Sequence, residues 1–488
     1  MLHSEEFLEA QDPVLIIAVL AIIVLLLFSW KRFASFIRCL IERGLDEEPE
    51  DDDDELEDDE EPENDDESPE KDVEPRDESE EADSEPSDLT QLGEYCNIVS
   101  GNSYSGKYID KPGVKLLGIG TIIEGGGFNA ENVRDYSGGY LETQVLKPGD
   151  TYIALTSLTE ITRPFLGSPA VVPDDFDNIG ITTHHVGRVD FNADSEMSSF
   201  CKWIFRSERF RQYCMYMCTG TTVFAVKPDD VLRFTMPSSL STHQRSLLTM
   251  LGQLERLEWL IIQLSEAKKR LMWTIFRSRF IDFNDKKTDT SKLIESEFGE
   301  IPSDWSVVRL EDYLKLIKKP TKSGPHLSDR QYVPIDRIER NNLFLYRWND
   351  WKEAASSLIL FEKDDLLFGA MRAYFHKVAI APFAGVTRTT CFVLRPKKPE
   401  WLPFCTMLLN LESTVRFASD SSLGSTMPYA VWDGTLARHK VIKPPEYMID
   451  EYSRECMPML ESIRDSGLRL NRCRRVIDDL VRELSMTY

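Results

Sequence analysis

Few side chains in this 488-residue sequence are spaced for catalysis. Gly101-Asn102-Ser103-Tyr104-Ser105-Gly106-Lys107-Tyr108 comes within one residue of the phosphate-binding loop G-x-x-x-x-G-K-[ST]. Tyr108 stands where a hydroxyl would hold Mg²⁺, and Pro112-Gly113 follows where a helix should begin, so no nucleotide site is expected. His184 and His185 are adjacent, and on a strand their imidazoles would point to opposite faces, which argues against a shared metal. Nine cysteines without a C-x-x-C pair exclude the usual zinc spacings and a disulfide scaffold. Cys214 and Cys218 lie in an apolar stretch and read as buried thiols, as expected in a reducing compartment. Lys443-Pro444-Pro445-Glu446 lacks the amide with which an Asn-Pro-Pro-aromatic motif holds an amino group for methylation. No Ser/His/Asp or Cys/His constellation is legible, so the chain is expected to catalyse nothing by itself.

What remains suits polyanions. The first half offers Ser100, Asn102, Tyr104 and Lys107, then Thr221 and Thr222. The second offers Lys318, Lys319 and Lys322, Arg347, the run Arg372, Tyr374 and Lys377, and finally Ser425 and Thr426. Lys and Arg neutralise phosphates, small hydroxyls position them, and Arg can read guanine edges. The net charge of −26 does not oppose this reading, because residues 46–88 hold 28 acidic and two basic side chains and account for all of it. Residues 89–488 carry 51 basic and 50 acidic side chains.

Several elements must position these loops. Residues 13–30 are uncharged, and Val14 to Phe28 is unbroken Val, Ile, Leu, Ala and Phe, long enough to span a bilayer. Lys31, Arg32, Arg38 and Arg43 follow, so residues 1–45 read as a single-pass anchor in the cytoplasmic membrane with the C-terminal bulk in the cytoplasm. Residues 46–88, whose only aliphatic side chains larger than Ala are Leu56 and Val73, read as a disordered acidic linker. It serves either as a solvated tether or as an internal polyanion competing with nucleic acid.

The rest is a diverged repeat. Leu92-Gly93-Glu94-Tyr95 is echoed by Leu310-Glu311-Asp312-Tyr313, Gly149-Asp150 by Asp364-Asp365, Gly220-Thr221-Thr222 by Gly424-Ser425-Thr426, and Pro237 by Pro444. Each half opens with short apolar runs punctuated by Gly and Pro, which predicts an α+β globular domain. Each closes on a 3-4 apolar alternation. In the first, Leu254, Leu257, Ile261, Leu264 and Leu271 carry the stripe; in the second, Leu460, Ile463, Leu470, Ile477 and Leu484 do. The expected order is a globular domain over 89–240, a long helix over 241–284, a linker over 285–300, a second domain over 301–446 and a second long helix over 447–488. The two helices should pack as an antiparallel coiled coil.

This arrangement resembles the specificity subunit of type I restriction-modification systems. Ile301-Pro302-Ser303-Asp304-Trp305-Ser306-Val307-Val308-Arg309-Leu310 looks like that family's entry into a target-recognition domain. Leu367-Phe368-Gly369-Ala370-Met371-Arg372, followed by Lys377-Val378-Ala379-Ile380-Ala381, looks like its mid-domain strand pair. The resemblance implies that each domain reads half of a split double-stranded DNA target and that the helices set the gap. It also implies that two methyltransferase subunits dock on the chain, joined by a restriction and translocation subunit. S-adenosylmethionine, ATP and Mg would belong to those partners. Residues 1–88 depart from the family pattern, which leaves open ordinary restriction or a membrane-tethered anti-phage assembly. A different class stays open too: a membrane-anchored scaffold whose recognition domains have drifted to bind protein.

Overall fold

The computed structural model describes residues 89–486, apart from 124, 158–164, 175, 177–178, 193–194, 222, 286–287 and 356. The expected membrane span at 13–30 and the acidic linker at 46–88 lie outside the described residues. Among the described residues, no helix is long and apolar enough to cross a membrane.

The fold mixes helix and sheet, and the repeat runs through it. Each domain opens on a strand that pairs antiparallel with the strand leading to its long helix: Leu89–Gln91 with Thr235–Pro237, and Ser306–Arg309 with Lys440–Lys443. A 3-10 turn follows, Leu92–Glu94 or Leu310–Asp312. The tyrosine after each turn reaches the same place, Tyr95 donating to Ser238 O at 3.0 Å and Tyr313 to Ile442 O at 3.3 Å. Each domain then builds a four-stranded antiparallel sheet. In the first its order is Cys96–Ser100, Val186–Phe191, Thr151–Ala154, Pro169–Val171; in the second, Leu314–Leu316, Cys391–Pro396, Leu366–Gly369, Val378–Ile380. Two short helices complete each unit, Glu196–Ile204 with Glu208–Tyr216 and Leu402–Asn410 with Glu412–Asp420.

The long helices are Thr242–Phe280 and Glu446–Met486. Ser241 and Gln244 form a reciprocal capping box at the start of the first, which satisfies two otherwise orphaned N–H groups. The pair runs antiparallel. His243 meets Glu483 at 2.8 Å near one end, Glu258 meets Arg474 at 2.7 Å, Lys268 meets Ser462 at 2.5 Å, and Arg279 meets Glu455 at 2.6 Å near the other. With 39 and 41 residues, each helix is roughly 60 Å long. The first domain packs at one end, where Arg245 pairs with Glu196 and Arg209 donates to Ser485 O. The second packs at the other, where Phe276 lies tilted and Phe280 edge-on against Phe404.

Two expectations need correction. In the second helix Leu460, Ile463, Leu470, Ile477 and Leu484 are all buried. In the first, Leu254 is buried and Leu257 and Ile261 partly so, but Leu264 and Leu271 are about half exposed, at 52% and 51%. The seam instead runs through Glu258, Ser265 and Met272, one residue later each time and therefore about 100° around the helix. The leucine stripe misled because the true seam holds polar side chains with partners: Glu258 has Arg474, and Ser265 bonds back to Ile261 O. The segment 285–300 is also not a bare linker. Leu293–Ser296 and Gly299–Pro302 pair as a hairpin, turned by Gly299 at φ +86°. It delivers Ile301 and Trp305 into the core beside Phe280.

Candidate nucleic-acid interface

Four segments meet along one edge of each domain. In the first domain a hairpin closes with reciprocal bonds between Thr219 and Ala225, at 2.8 and 2.9 Å. Ala225 pairs with Thr156, whose hydroxyl lies 2.9 Å from His185 Nδ1. The His184 N–H donates to Asn102 O at 2.9 Å, and Asn102 bridges Thr183. Hairpin, strand exit, histidine turn and the Ser100–Asn102 segment are thus one bonded surface.

The second domain repeats it. Leu423 and Tyr429 close a hairpin of the same length with bonds of 2.9 and 2.8 Å. Tyr429 OH donates to Thr389 O at 2.8 Å, and the Arg372 N–H donates to Pro428 O at 2.7 Å. Pro320, Thr321, Lys322 and Ser323 face Ser357 and Thr389 across an open cleft of about 480 Å³. Each hairpin turns on a glycine in the same place, Gly220 at φ +110° and Gly424 at φ +92°. A Cβ on Gly220 would sit 2.1 Å from Val223 O, so the turn requires glycine.

The sequence-predicted residues fall into three groups. Gathered on these edges are Ser100, Asn102 and Thr221 in the first domain, and Lys318, Lys319, Lys322, Arg372, Tyr374, Ser425 and Thr426 in the second. Lys318 is held by Asp433 at 2.5 Å, and Tyr374 is exposed against Phe375. Others are committed elsewhere. Arg347 pairs with Glu339 and lies over Tyr346, whose carbonyl accepts from Asn471 of the second long helix, so it braces the domain on the rod. Tyr104 packs on Tyr136 at 4.9 Å, and burial pushes its hydroxyl up to about 12. Lys107 lies over Tyr108, and Lys377 reaches Ile335 O. Thr222 lies outside the described residues.

Two readings of possible chemistry are settled by shape. Gly106–Tyr108 is one 3-10 turn running into the strand Ile109–Leu117, with no helix to receive a phosphate. The histidines do not point apart: they occupy a turn rather than a strand, and their rings stack at 3.8 Å. Burial, with His184 beside it, holds His185 below the ordinary histidine range. Thr156, His184 and His185, with Arg388, Thr389 and Tyr429, are edge residues that the sequence reading missed. The repeat held the signal, since Thr183-His184-His185 and Arg388-Thr389-Thr390 precede equivalent strands 205 residues apart.

Residues 302–445 match the type I restriction modification DNA specificity domain. The matched stretch begins at the end of the 293–302 hairpin and stops at the second long helix, so the second edge lies wholly within it. The chain is 21% identical over 328 residues to the type I restriction enzyme MjaIX specificity subunit of Methanocaldococcus jannaschii, covering 62% of this chain and 72% of that one. Among solved structures, it is similar to the type I restriction-modification S subunit from M. genitalium, with 10% identity and a TM-score of 0.44 over 81% of this chain and 95% of that one. The HsdS subunit from Thermoanaerobacter tengcongensis gives 17% identity and a TM-score of 0.26 over 81% and 96%.

Proposed function

We propose that this chain is the DNA-recognition subunit of a type I restriction-modification system. It reads a two-part double-stranded target and docks methyltransferase subunits without catalysing a reaction itself. The observation that carries the reading is the duplicated edge: the surface found in the specificity domain recurs in the first domain at the far end of an antiparallel rod. The domains grip the first helix at Arg245 and Phe280, about 35 residues or ~50 Å apart, a distance of roughly 15 base pairs. S-adenosylmethionine, ATP and Mg belong to partner subunits in this scheme: two methyltransferases, and a restriction and translocation subunit where cleavage follows. The apolar residues 13–30 support a single-pass anchor that leaves the body in the cytoplasm. The test is methylation mapping of host DNA with the partners co-expressed. Replacing residues 302–445 by another specificity domain should change one half of the methylated motif and spare the other. Change in both halves, or in neither, overturns the two-reader scheme.

A further inference from the structure

The two edges share a scaffold but not a charge. Among the described residues of the first edge (Ser100–Lys107, Thr156–Ser157, Thr183–His185 and Thr219–Ala225), the sole Lys or Arg is Lys107. The matching segments of the second edge (318–323, 371–372, 388–390 and 423–429) hold Lys318, Lys319, Lys322, Arg372 and Arg388, of which Lys318 is paired with Asp433.

Geometry sharpens the contrast. Lys319, Lys322 and Arg388 are exposed around the 480 Å³ cleft. Arg372 is held in the left-handed region at φ +52°, which is costly for a residue with a side chain, and its Nε is buried without a hydrogen-bond partner. A strained backbone and an unpaired donor on one arginine mark a position waiting for an acceptor. At the first edge the central exposed side chain is His184. Its backbone N–H bonds to Asn102 O, and its ring lies against that of His185, which is in turn held by Thr156. With its backbone bonded and its ring resting on a neighbour that is itself held, the exposed imidazole loses less freedom on binding than a long basic side chain would, which favours discrimination over bulk affinity.

We propose that the edges divide the work. The second neutralises most of the DNA phosphates and anchors the complex, while the first reads its half-target through near-neutral groups centred on His184. This rests on the DNA-recognition reading and adds where the salt dependence and the discrimination reside.

The experiment measures affinity of the full chain for a duplex bearing the mapped methylation motif, and for two duplexes with one half scrambled, across a salt series. Each lost phosphate contact should reduce the log–log salt slope by about 0.9. Lys319→Gln, Lys322→Gln and Arg388→Gln together should therefore remove nearly 3 units of slope. His184→Ala should leave the slope intact and reduce discrimination against a scrambled first half by about tenfold. Unchanged melting temperatures confirm that these surface variants fold. A slope loss of about 0.9 from Lys107→Gln with little loss from the triple variant overturns the division of work, as does undiminished first-half discrimination in His184→Ala. A wild-type chain that binds all three duplexes equally would instead overturn the DNA-recognition reading itself.

Discussion

Gly467 and Gly252 are both helix-interior glycines, yet the structure gives their alanine variants opposite signs. A Cβ on Gly467 would lie 2.0 Å from Leu345 O and 2.8 Å from its carbonyl carbon. That neighbour is backbone, so it cannot rotate away, and the 341–349 loop must lift by more than an ångström. Lifting it strains the bond from Asn471 to Tyr346 O and the seat of Tyr346 on Arg474, 4.5 Å from the ring centroid. It also begins to open the pocket holding Leu343, Phe344 and Leu345, each 3% exposed or less. Overpacking of this kind costs about 1–3 kcal/mol, and partial exposure of one of those side chains adds about 1–2 kcal/mol. Alanine's better helix propensity returns about 1 kcal/mol. Gly467→Ala should therefore destabilise by about 1–4 kcal/mol. Gly252 in the first helix has nothing within 4 Å of its would-be Cβ, so Gly252→Ala keeps only the propensity gain and should stabilise by about 1 kcal/mol. Urea titration of the purified chain followed by circular dichroism measures both. Stabilisation of Gly467→Ala to the same extent as Gly252→Ala would refute the claim that this loop is seated on the rod.

Leu264→Glu and Leu271→Glu should change stability by less than about 0.5 kcal/mol, because both side chains are half exposed, while Leu470→Ala should cost about 2–5 kcal/mol. If the bare leucines are where a methyltransferase subunit docks, the two Glu variants should also lose co-purification with it while still folding. Burial, with Lys269 and Arg340 nearby, holds His376 below the ordinary histidine value. Its contribution is thus complete above about pH 6.5 and is lost as pH falls below that, since the unfolded chain then takes up a proton more readily. Urea midpoints at about pH 7.5 and about pH 5.5 should differ, and His376→Gln should narrow the difference. Lengthening the rod demands a matched change, because Leu254 faces Cys473 and His243 faces Glu483. One heptad added between Leu247 and Leu254 together with one between Cys473 and Val481 should widen the methylated motif's gap by about 10 Å, or roughly three base pairs, whereas an insertion in one helix alone should break the packing.

Much of this architecture was legible in the sequence because repetition survives divergence. Leu92 and Leu310 open equivalent turns, Gly220 and Gly424 turn equivalent hairpins, and the second helix's leucines are buried as its periodicity demands. The first helix was misread where Glu258, Ser265 and Lys268 enter the seam, since a hydrophobic pattern cannot see a polar residue that finds its partner across the interface. The edges were half legible. Basic and hydroxyl residues advertise themselves, but Thr156, His185 and Tyr429 become neighbours of those loops only through strand pairing and side-chain hydrogen bonds that no local motif encodes. Arg347 shows the reverse error: a basic residue beside an aromatic looks ready for phosphate, yet Glu339, eight residues earlier in the chain, decides its role.

The repeat is faithful at its edges and broken along its rod, and the break has a mechanical meaning. With the 205-residue offset that relates the two halves near their helices, Arg464 of the second helix corresponds to Trp259 of the first. Arg464 is buried and holds Asp364 of the second domain at 2.5 Å, while Trp259 is 53% exposed. Lys269 adds a bond to Asn341 O, so both helices grip the second domain near mid-rod as well as at its end. Arg464 also pairs with Asp465 at 2.8 Å, so the buried guanidinium is held between its own helix and the second domain, which fixes geometry more than it adds stability. The second domain is therefore held at two places on the rod. The first domain meets the helices toward their other end: Glu196 pairs with Arg245, Arg209 donates to Ser485 O, and Arg206 lies near Glu255 and Asp478. A reader anchored at two points of the rod keeps its orientation when loaded. The strongly basic reader is the one so anchored, and a duplex whose phosphates are neutralised there therefore rests on a surface whose orientation is set by both helices.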